Sequence, residues 1–210
     1  MNEHPTASTL MVATIRSKIV LGTAAAVAFL PYSHAIAGTT YPVVDTAQVH
    51  CYDEGNAIAY PGPGEAWFGQ DAQFRANEAS YKDNGDGTVS DLVTGLMWTK
   101  GSAGKATLSD AMANASKCRI GGHEDWRMPS IKELYSLIQF DGFDPNPMSE
   151  DTSGIKPFID HAVFVFSYGD PATGERIIDS QFATSTIYTS TTMRGNKTMF
   201  GVNFADGRIK

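Results

Sequence analysis

The sequence of 210 residues offers little sulfur chemistry and little positive charge. It contains only two cysteines, Cys51 and Cys118, and its five histidines are scattered, so neither a zinc-ligand spacing nor a haem-attachment motif is present. Sixteen basic residues stand against twenty-three acidic ones, which gives a net charge of −7. An acidic chain is a poor partner for nucleic acid, polyanionic glycans and anionic lipids. These shortages argue against metal catalysis through soft ligands and against nucleic-acid binding.

Downstream of residue 40 the sequence also lacks an apolar run long enough to cross a membrane. An apolar run does lie near the N-terminus after Arg16 and Lys18, and Ala35–Ala37 supplies the small residues of a cleavage site. A basic flank, a short apolar stretch and a small-x-small cut are typical of a secretory signal peptide. We therefore expect cleavage near Ala37 and a secreted or periplasmic protein without a membrane span. The alternative is a retained membrane anchor, against which the short run and Pro31 argue.

Removal of residues 1–37 leaves 173 residues, enough for one domain with its own core. The leader carries two basic residues and one acidic residue, so the mature charge becomes −8. In an oxidising compartment Cys51 and Cys118 could form one disulfide, worth about 2–4 kcal/mol. The sequence alone leaves open whether the two cysteines meet.

The first part of the mature chain, residues 38–74, reads as a polar and irregular segment. Two prolines and two glycines between Pro61 and Gly64 predict a turn. Trp67 and Phe68 follow this turn, and we expect them to clamp the segment to the domain.

Short strands are predicted from Tyr81 onward. Residues 88–91 and 94–100 predict a β-hairpin, with Leu96 and Trp98 on one face and Met97 on the other. From Pro157 to the C-terminus, strands are predicted again at residues 162–166, 186–193 and 198–210.

Two helices are predicted between these strands. The first begins at Thr107 or Ser109, has a thin apolar stripe of Ala111, Met112 and Ala115, and ends at Gly121-Gly122. The second begins at Ser130, which forms a capping box with Glu133. Its core-facing stripe follows helical spacing up to an end near Phe140 and consists of Ile131, Leu134, Tyr135 and Ile138. A hairpin, two helices and then strands indicate an α+β fold.

Two separated motifs, DNGDGTVSDLVTGLMW at residues 83–98 and DWRMPSIKEL at residues 125–134, resemble the Lcl C-terminal domain family of exported bacterial proteins. Tyr81 takes the aromatic position before the first motif, while Met128 and Ser130 replace the usual Leu and Thr. The likeness covers residues 75–210. Because C-type-lectin-like domains share the W-R-hydrophobic-P-(S/T) element, the resemblance implies two helices packed on a twisted, mainly antiparallel sheet. Independently of the resemblance, the residues indicate that Arg127 pairs with a carboxylate or with backbone carbonyls beside the helix.

The chain departs from the family's pattern in two ways. The family closes with a strand that carries a cysteine, whereas this chain has none after Cys118 and stops at Lys210. The resemblance therefore leaves Cys51 as the intramolecular partner of Cys118, and raises the alternative that the domain is truncated at its C-terminus. The family's name-giving adhesin binds sulfated polysaccharide, but this acidic sequence has no Gly-X-Y repeat, so that specificity is not expected here.

The stretch DNGDGTVSD at residues 83–91 is the candidate metal site. Counted from Asp83 or from Asn84, it fails the ligand and glycine positions of a calcium loop. We predict instead a hairpin turn in which Asn84-Gly85 or Asp86-Gly87 takes the positive φ angles of a type I′ turn. Asp83, Asp86 and Asp91 remain candidate ligands of a nonstandard calcium site.

The sequence favours an exported, non-catalytic binding or surface module whose partner is a cell-surface glycan or protein. We expect loops 141–156 and 167–186 to engage the ligand, with candidate contacts at Trp67, Asp144, Asn146 and Tyr168. The alternative is an enzyme or enzyme accessory on the fold of formylglycine-generating enzymes. Those enzymes need a redox-active cysteine pair in the closing region, and the chain has no cysteine after Cys118. No catalytic residue and no bound cofactor are predicted.

Overall fold

The computed structural model describes residues 8–9, 13–15, 42–192 and 195–210. The signal peptide predicted for residues 1–37, with its cleavage site at Ala37, lies outside the described residues except for two short strands. The described elements follow in the order β1 (Ser8–Thr9), β2 (Ala13–Ile15), β3 (Cys51–Tyr52), β4 (Ala57–Ile58), β5 (Tyr81–Asp83), β6 (Thr88–Asp91), β7 (Leu96–Thr99), β8 (Lys105–Ala106), α1 (Leu108–Lys117), α2 (Ile131–Tyr135), β9 (Gln181–Thr192), β10 (Asn196–Asn203) and β11 (Arg208–Ile209).

The strands form two main sheets and one small hairpin. The first sheet has the order β11-β10-β9-β1-β8, the second has the order β2-β7-β6-β5, and β3 pairs with β4 alone. The described strand pairs are antiparallel apart from β1 with β9. Both helices lie in sequence between the two sets of strands, so the predicted α+β class, with two helices and antiparallel sheets, is confirmed. The strands predicted at 186–193 and 198–210 correspond to β9, β10 and β11.

One core joins both sheets to α2. Its largest fully buried side chains come from β7, α2, the loop after α2 and the end of β10, and they include Trp98, Leu134, Leu137, Ile159, Phe164 and Phe204. The predicted faces of the first hairpin are confirmed, since Leu96 and Trp98 are buried whereas Met97 is half-buried. Alternation along a strand sends successive side chains to opposite faces. Leu96 and Trp98 belong to the main core, whereas Met97 packs against the smaller cluster that contains Ala111 and Trp126.

Helix α1 begins as predicted, because the Thr107 side chain accepts a hydrogen bond from the Asp110 N–H. Two predictions about it are wrong. Met112 is exposed, since Ala111 and Ala115 alone form the buried edge. The helix ends at Lys117, before Gly121-Gly122, because Cys118 turns into an extended conformation.

Helix α2 has the predicted capping box. The Ser130 side chain accepts from the Glu133 N–H, and the Glu133 carboxylate accepts from the Ser130 N–H at 2.8 Å. Arg127 completes this arrangement with two hydrogen bonds to the same carboxylate, at 2.9 and 2.6 Å. The pairing expected for Arg127 is therefore present. Trp126 lies next to it and donates its indole N–H to the Ile120 carbonyl.

Two hydrogen bonds donated by backbone N–H groups attach the start of α2 to β9. The Ser185 N–H donates to the Pro129 carbonyl at 2.8 Å, and the Ile131 N–H donates to the Thr186 hydroxyl at 2.9 Å. The second bond satisfies one backbone donor at the helix N-terminus, and together the two bonds fix the helix against the sheet.

The end predicted for α2, near Phe140, is wrong, since the α-helix stops at Tyr135. Beyond it the chain tightens into turns with three-residue spacing, in which Leu137 bonds to Leu134 at 3.2 Å and Ile138 bonds to Tyr135 at 3.0 Å. These turns keep Leu137 and Ile138 in the core, so the apolar stripe continues past the end of the helix.

The strand predicted at residues 162–166 is also wrong. The chain instead forms a turn at 161–163 and is irregular at 164–166, and the Asp160 carbonyl accepts from Val163 and Phe164 at 3.2 and 2.9 Å. The Asp160 carboxylate also accepts from the Ala162 N–H. Only Phe164 of this apolar run is fully buried, whereas Val165 is exposed. An acidic residue that caps its own following turn prevents the extended conformation.

The replacement Leu134→Ala should lower the free energy of unfolding by about 2–5 kcal/mol, because it leaves a cavity at a fully buried position. Urea denaturation measures this loss. Met112→Ala, on the exposed side of α1, is the control and should change stability by less than about 0.5 kcal/mol. Equal losses in the two variants would contradict the placement of the core.

The capping box should make stability depend on pH. Burial raises the pKa of Glu133, but the hydrogen bonds from Arg127 and Ser130 outweigh burial and hold it below its ordinary value. A depressed folded-state pKa stabilises the protein above the unfolded pKa, and this contribution disappears as the pH falls through the folded value. Glu133→Gln should therefore cost about 1.5–3 kcal/mol at pH 7.

Chemical denaturation of Glu133→Gln and the unmodified chain should show that this difference shrinks steadily below pH 4. Glu150→Gln, at an exposed position, is the matched control. A difference that stays constant between pH 7 and pH 3 would contradict the role of the Glu133 charge.

Candidate functional site

The residues at 42–78, called the aromatic segment below, lie before the first motif and expose many large side chains. The exposed aromatic residues of this segment are Tyr52, Tyr60, Trp67, Phe68 and Phe74. Single exposed apolar residues are ordinary on protein surfaces, whereas a concentration of them often marks an interaction site.

The two ends of the aromatic segment are tied together. Val44 and Asn77 form an isolated β-bridge, and the Asp45 N–H donates to the Asn77 carbonyl at 2.7 Å. The Asp45 carboxylate adds a hydrogen bond from the Ala76 N–H at 2.9 Å, and hydrogen bonds from Ala76 and Ala47 lower its pKa. The segment is thus a closed excursion from the domain.

Two glutamine side chains fix the middle of the segment. The Gln70 amide accepts from the Tyr52 N–H at 2.8 Å and donates to the Tyr52 and Trp67 carbonyls at 2.7 and 3.0 Å. The Gln73 amide accepts from the Gly69 N–H at 2.8 Å and donates to the Pro61 carbonyl at 2.6 Å. These contacts bring the backbones of Tyr52 and Trp67 to the same side chain.

Trp67 combines exposure with backbone strain. Its φ is 68°, in the left-handed region, which costs a residue with a Cβ about 1–3 kcal/mol. Its side chain is 48% exposed, whereas Trp98 and Trp126 are 0% and 3% exposed. The expectation that Trp67 and Phe68 clamp the segment to the domain is therefore wrong, since both are about half exposed and the glutamines hold the segment instead.

The aromatic segment is acidic. Residues 42–78 contain six aspartates and glutamates against a single arginine, Arg75. Hydrogen bonds from Gly55 and Asn56 lower the pKa of the Asp53 carboxyl, so this group stays ionised in the turn that it caps. Like charges repel, so the segment disfavours polyanionic ligands.

Two of the predicted ligand contacts are occupied by structural interactions. Asp144 accepts two hydrogen bonds from Arg208, at 3.1 and 2.6 Å. The Asn146 amide oxygen accepts from the Met148 N–H and so caps its own turn. Both groups stabilise the loop at 141–156, so both side chains are already engaged in structural hydrogen bonds.

Tyr168, the remaining predicted contact, points inward. Its ring packs edge-on against Phe166 at 5.0 Å, and its hydroxyl is buried without a hydrogen-bond partner among the described residues. Burial raises the pKa of this hydroxyl. Tyr168 also lines a cavity of about 170 Å³ together with Lys105 and Asp179. Tyr168 is therefore more buried than Trp67.

The three calcium candidates serve turns. Asp83 accepts from the Gly85 N–H and from Lys100 at 2.6 Å. Asp86 accepts from the Thr88 N–H and hydroxyl. The carboxylate of Asp91 is buried and accepts from Val93 and from Thr94, whose N–H and hydroxyl both donate to it. In the described part of the chain, no three histidine, cysteine, aspartate or glutamate side chains are grouped so that they could hold a metal ion.

The hairpin turn is present, but its predicted type I′ geometry is wrong. Gly85 and Gly87 have φ values of 78° and 86°, whereas Asn84 and Asp86 are not among the residues with positive φ. A type I′ turn requires positive φ at two successive residues. Here the Asn84 N–H donates to the Thr88 carbonyl at 3.0 Å, which closes a longer loop.

The two cysteines, which the sequence left open as possible disulfide partners, are free thiols in the structure. Cys51 is buried in β3, and Cys118 is half-buried after α1. Among the described residues, no helix is long and apolar enough to cross a membrane.

Sequence reasoning missed Gln70, which bonds to the Trp67 carbonyl, and Gln73, which holds the neighbouring backbone at Gly69 and Pro61. It also left out Tyr52, which shares the Gln70 amide with Trp67. The available signal was the density of aromatic residues in an otherwise polar stretch that contains two glutamines three positions apart.

Trp67 should account for the solvent-accessible tryptophan fluorescence, because the other two tryptophans are buried. Acrylamide should quench the folded chain strongly, and Trp67→Phe should remove the easily quenched component while leaving the remaining emission almost unaffected. Urea-unfolded chain, in which every tryptophan is exposed, is the control. Strong quenching of folded Trp67→Phe would contradict this arrangement.

Comparison with known proteins supports the family resemblance that the two motifs indicate. The family model of the Lcl C-terminal domain matches residues 87–210, more than half of the chain. No curated protein and no solved structure matches the chain. The matched region begins at Gly87 and includes α1, α2 and the β9–β11 strands, whereas the aromatic segment lies before it. The chain belongs to the Lcl C-terminal domain family.

Proposed function

We propose that this protein is an exported, non-catalytic binding module that holds a neutral glycan against Trp67 on the aromatic segment. The observation that carries the proposal is Trp67 itself, which is half exposed on a strained backbone. Backbone strain concentrates at functional sites, because the surrounding structure must hold the residue in place. Gln70 holds it there through the Trp67 carbonyl.

An exposed aromatic ring on a hydrogen-bonded backbone suits a sugar. The apolar face of a pyranose ring can stack on an indole, and a binding site that is already ordered loses less conformational entropy when the ligand binds. Tyr52 lies on the same glutamine, so it offers a second exposed ring with a hydroxyl for hydrogen bonding. These features support a glycan ligand for the aromatic segment.

The charge of the segment selects among glycans. Six acidic residues against one arginine disfavour sulfated and other anionic polysaccharides. Neutral sugars carry no such penalty. The proposal therefore names a neutral glycan and moves the contact surface away from Asp144, Asn146 and Tyr168.

Export and a relationship to C-type-lectin-like domains belong to the same proposal. The basic flank, apolar run and small residues near Ala37 support export. The α+β architecture with antiparallel sheets supports the fold relationship. A surface glycan is a ligand that an exported protein can reach.

The proposal is tested by binding of the full chain to an array of neutral and sulfated oligosaccharides, with and without a calcium chelator. We expect binding to a neutral sugar that the chelator does not change and that Trp67→Ala weakens about 30-fold, equivalent to a loss of about 2 kcal/mol. Phe143→Ala removes an exposed aromatic side chain from loop 141–156 and is the matched control. It should leave the affinity unchanged.

Three outcomes would overturn the proposal. The first is no binding to any neutral sugar. The second is binding that survives Trp67→Ala, which would place the ligand elsewhere. The third is selective binding of sulfated sugars, which would contradict the electrostatic argument.

A further inference from the structure

A cavity lies between β8, the loop before β9 and the start of β9. Its volume is about 170 Å³, which is room for about five water molecules at about 30 Å³ each. Its walls come from residues within 102–105, 167–168 and 179–182. A cavity of this size admits an organic molecule of a few non-hydrogen atoms but not an oligosaccharide. It is therefore separate from the glycan surface proposed at Trp67.

An ion pair joins two of the cavity walls. Lys105 on one side binds Glu175 of the loop before β9, and this hydrogen bond is the main cause that lowers the pKa of Glu175. The loop is closed at its neck, where the Gly169 N–H donates to the Ile177 carbonyl at 3.0 Å. A Cβ at position 169 would collide with the Arg176 carbonyl oxygen, so the neck requires glycine. These contacts order the walls of the cavity in advance of any ligand.

Lys105 and Asp179 place opposite charges on the cavity wall. The Arg176 guanidinium donates to Asp179 at 2.8 Å. That hydrogen bond lowers the pKa of the Asp179 carboxyl, and the charge of Lys105 adds to the effect. Each wall charge thus has a counter-charge, from Glu175 or from Arg176. Both groups keep bonding capacity, because an ammonium carries more than one donor and a carboxylate oxygen accepts more than one hydrogen bond.

Tyr168 adds a polar group to the same cavity. Its hydroxyl is buried and has no hydrogen-bond partner in the part of the chain that the structure describes. A buried polar group without a partner is destabilising, so a ligand that supplies an acceptor removes this cost. Burial raises the pKa of the Tyr168 hydroxyl, which keeps its proton available for donation.

We propose that this cavity binds a small zwitterionic α-amino acid. The ligand's carboxylate accepts from Lys105 and from the Tyr168 hydroxyl, and its ammonium donates to Asp179. The buried ring of Phe182 offers an apolar surface to a short side chain such as a methyl group. This binding activity goes beyond the glycan proposal and uses different residues.

The balance of charges around the cavity selects the zwitterion. A carboxylate without an ammonium would add negative charge beside Glu175 and Asp179, and an ammonium alone would add positive charge beside Lys105 and Arg176. A zwitterion adds no net charge. Its charge-assisted hydrogen bonds are also stronger than those of a neutral alcohol.

Nuclear magnetic resonance titration of the full chain with L-alanine tests the proposal. We expect chemical-shift changes at the backbone amides of residues 102–105, 167–168 and 179–182. Propionate lacks the ammonium, ethylammonium lacks the carboxylate, and glycerol lacks both, so each should bind at least about tenfold more weakly than L-alanine. Trp67→Ala should leave L-alanine binding unchanged, which separates this site from the glycan surface.

Two variants test the named contacts. Tyr168→Phe removes only the hydroxyl and should weaken L-alanine binding about tenfold, while urea denaturation without ligand shows no loss of stability. Asp179→Asn keeps the size of the side chain and should remove the preference for L-alanine over propionate. Tyr188→Phe changes an exposed tyrosine of β9 outside the cavity and is the matched control, with unchanged affinity.

Several results would overturn the proposal. These are no shift changes with L-alanine, equal binding of propionate, ethylammonium or glycerol, and full affinity in Tyr168→Phe. Shift changes confined to residues 42–78 would place the amino acid on the aromatic segment and would also overturn it.

Discussion

The pairing of Arg127 with Glu133 at the start of α2 is the constraint on which the rest of the domain depends. One carboxylate receives two hydrogen bonds from the guanidinium and a third from the Ser130 N–H. The same short stretch is bonded to β9 through the Pro129 carbonyl. Because helix and sheet are fixed to each other here, Leu134 is delivered to the core beside β7 and β10.

The sequence predicted the features whose causes are local. Ser130 and Glu133 satisfy a capping box by their spacing alone, and alternation placed Trp98 inside. Features that depend on distant partners were not predictable. The run at 162–166 has strand-forming residues, yet Asp160 caps a turn there. Tryptophan is a residue type typical of cores. Only the hydrogen bond from Gln70 to the Trp67 carbonyl shows that Trp67 is held at the surface.

The chain separates its fold from its candidate binding surface. The family match begins at residue 87 and contains the core, both helices and the long β-hairpin. The aromatic segment lies before that match and is tied off at Val44 and Asn77. A closed excursion of this kind can change its exposed side chains without disturbing the core, because few core residues come from it. This arrangement explains why the family motifs specify the architecture but say little about the ligand.

We propose that glycan recognition resides in the aromatic segment and not in the loops after α2. Nuclear magnetic resonance of the full chain, titrated with a neutral oligosaccharide that it binds, tests this claim most directly. We predict chemical-shift changes concentrated within residues 42–78, with the largest at the Trp67 indole and the Gln70 amide. Changes concentrated within 141–156 or 167–186, with the Trp67 indole unmoved, would contradict it.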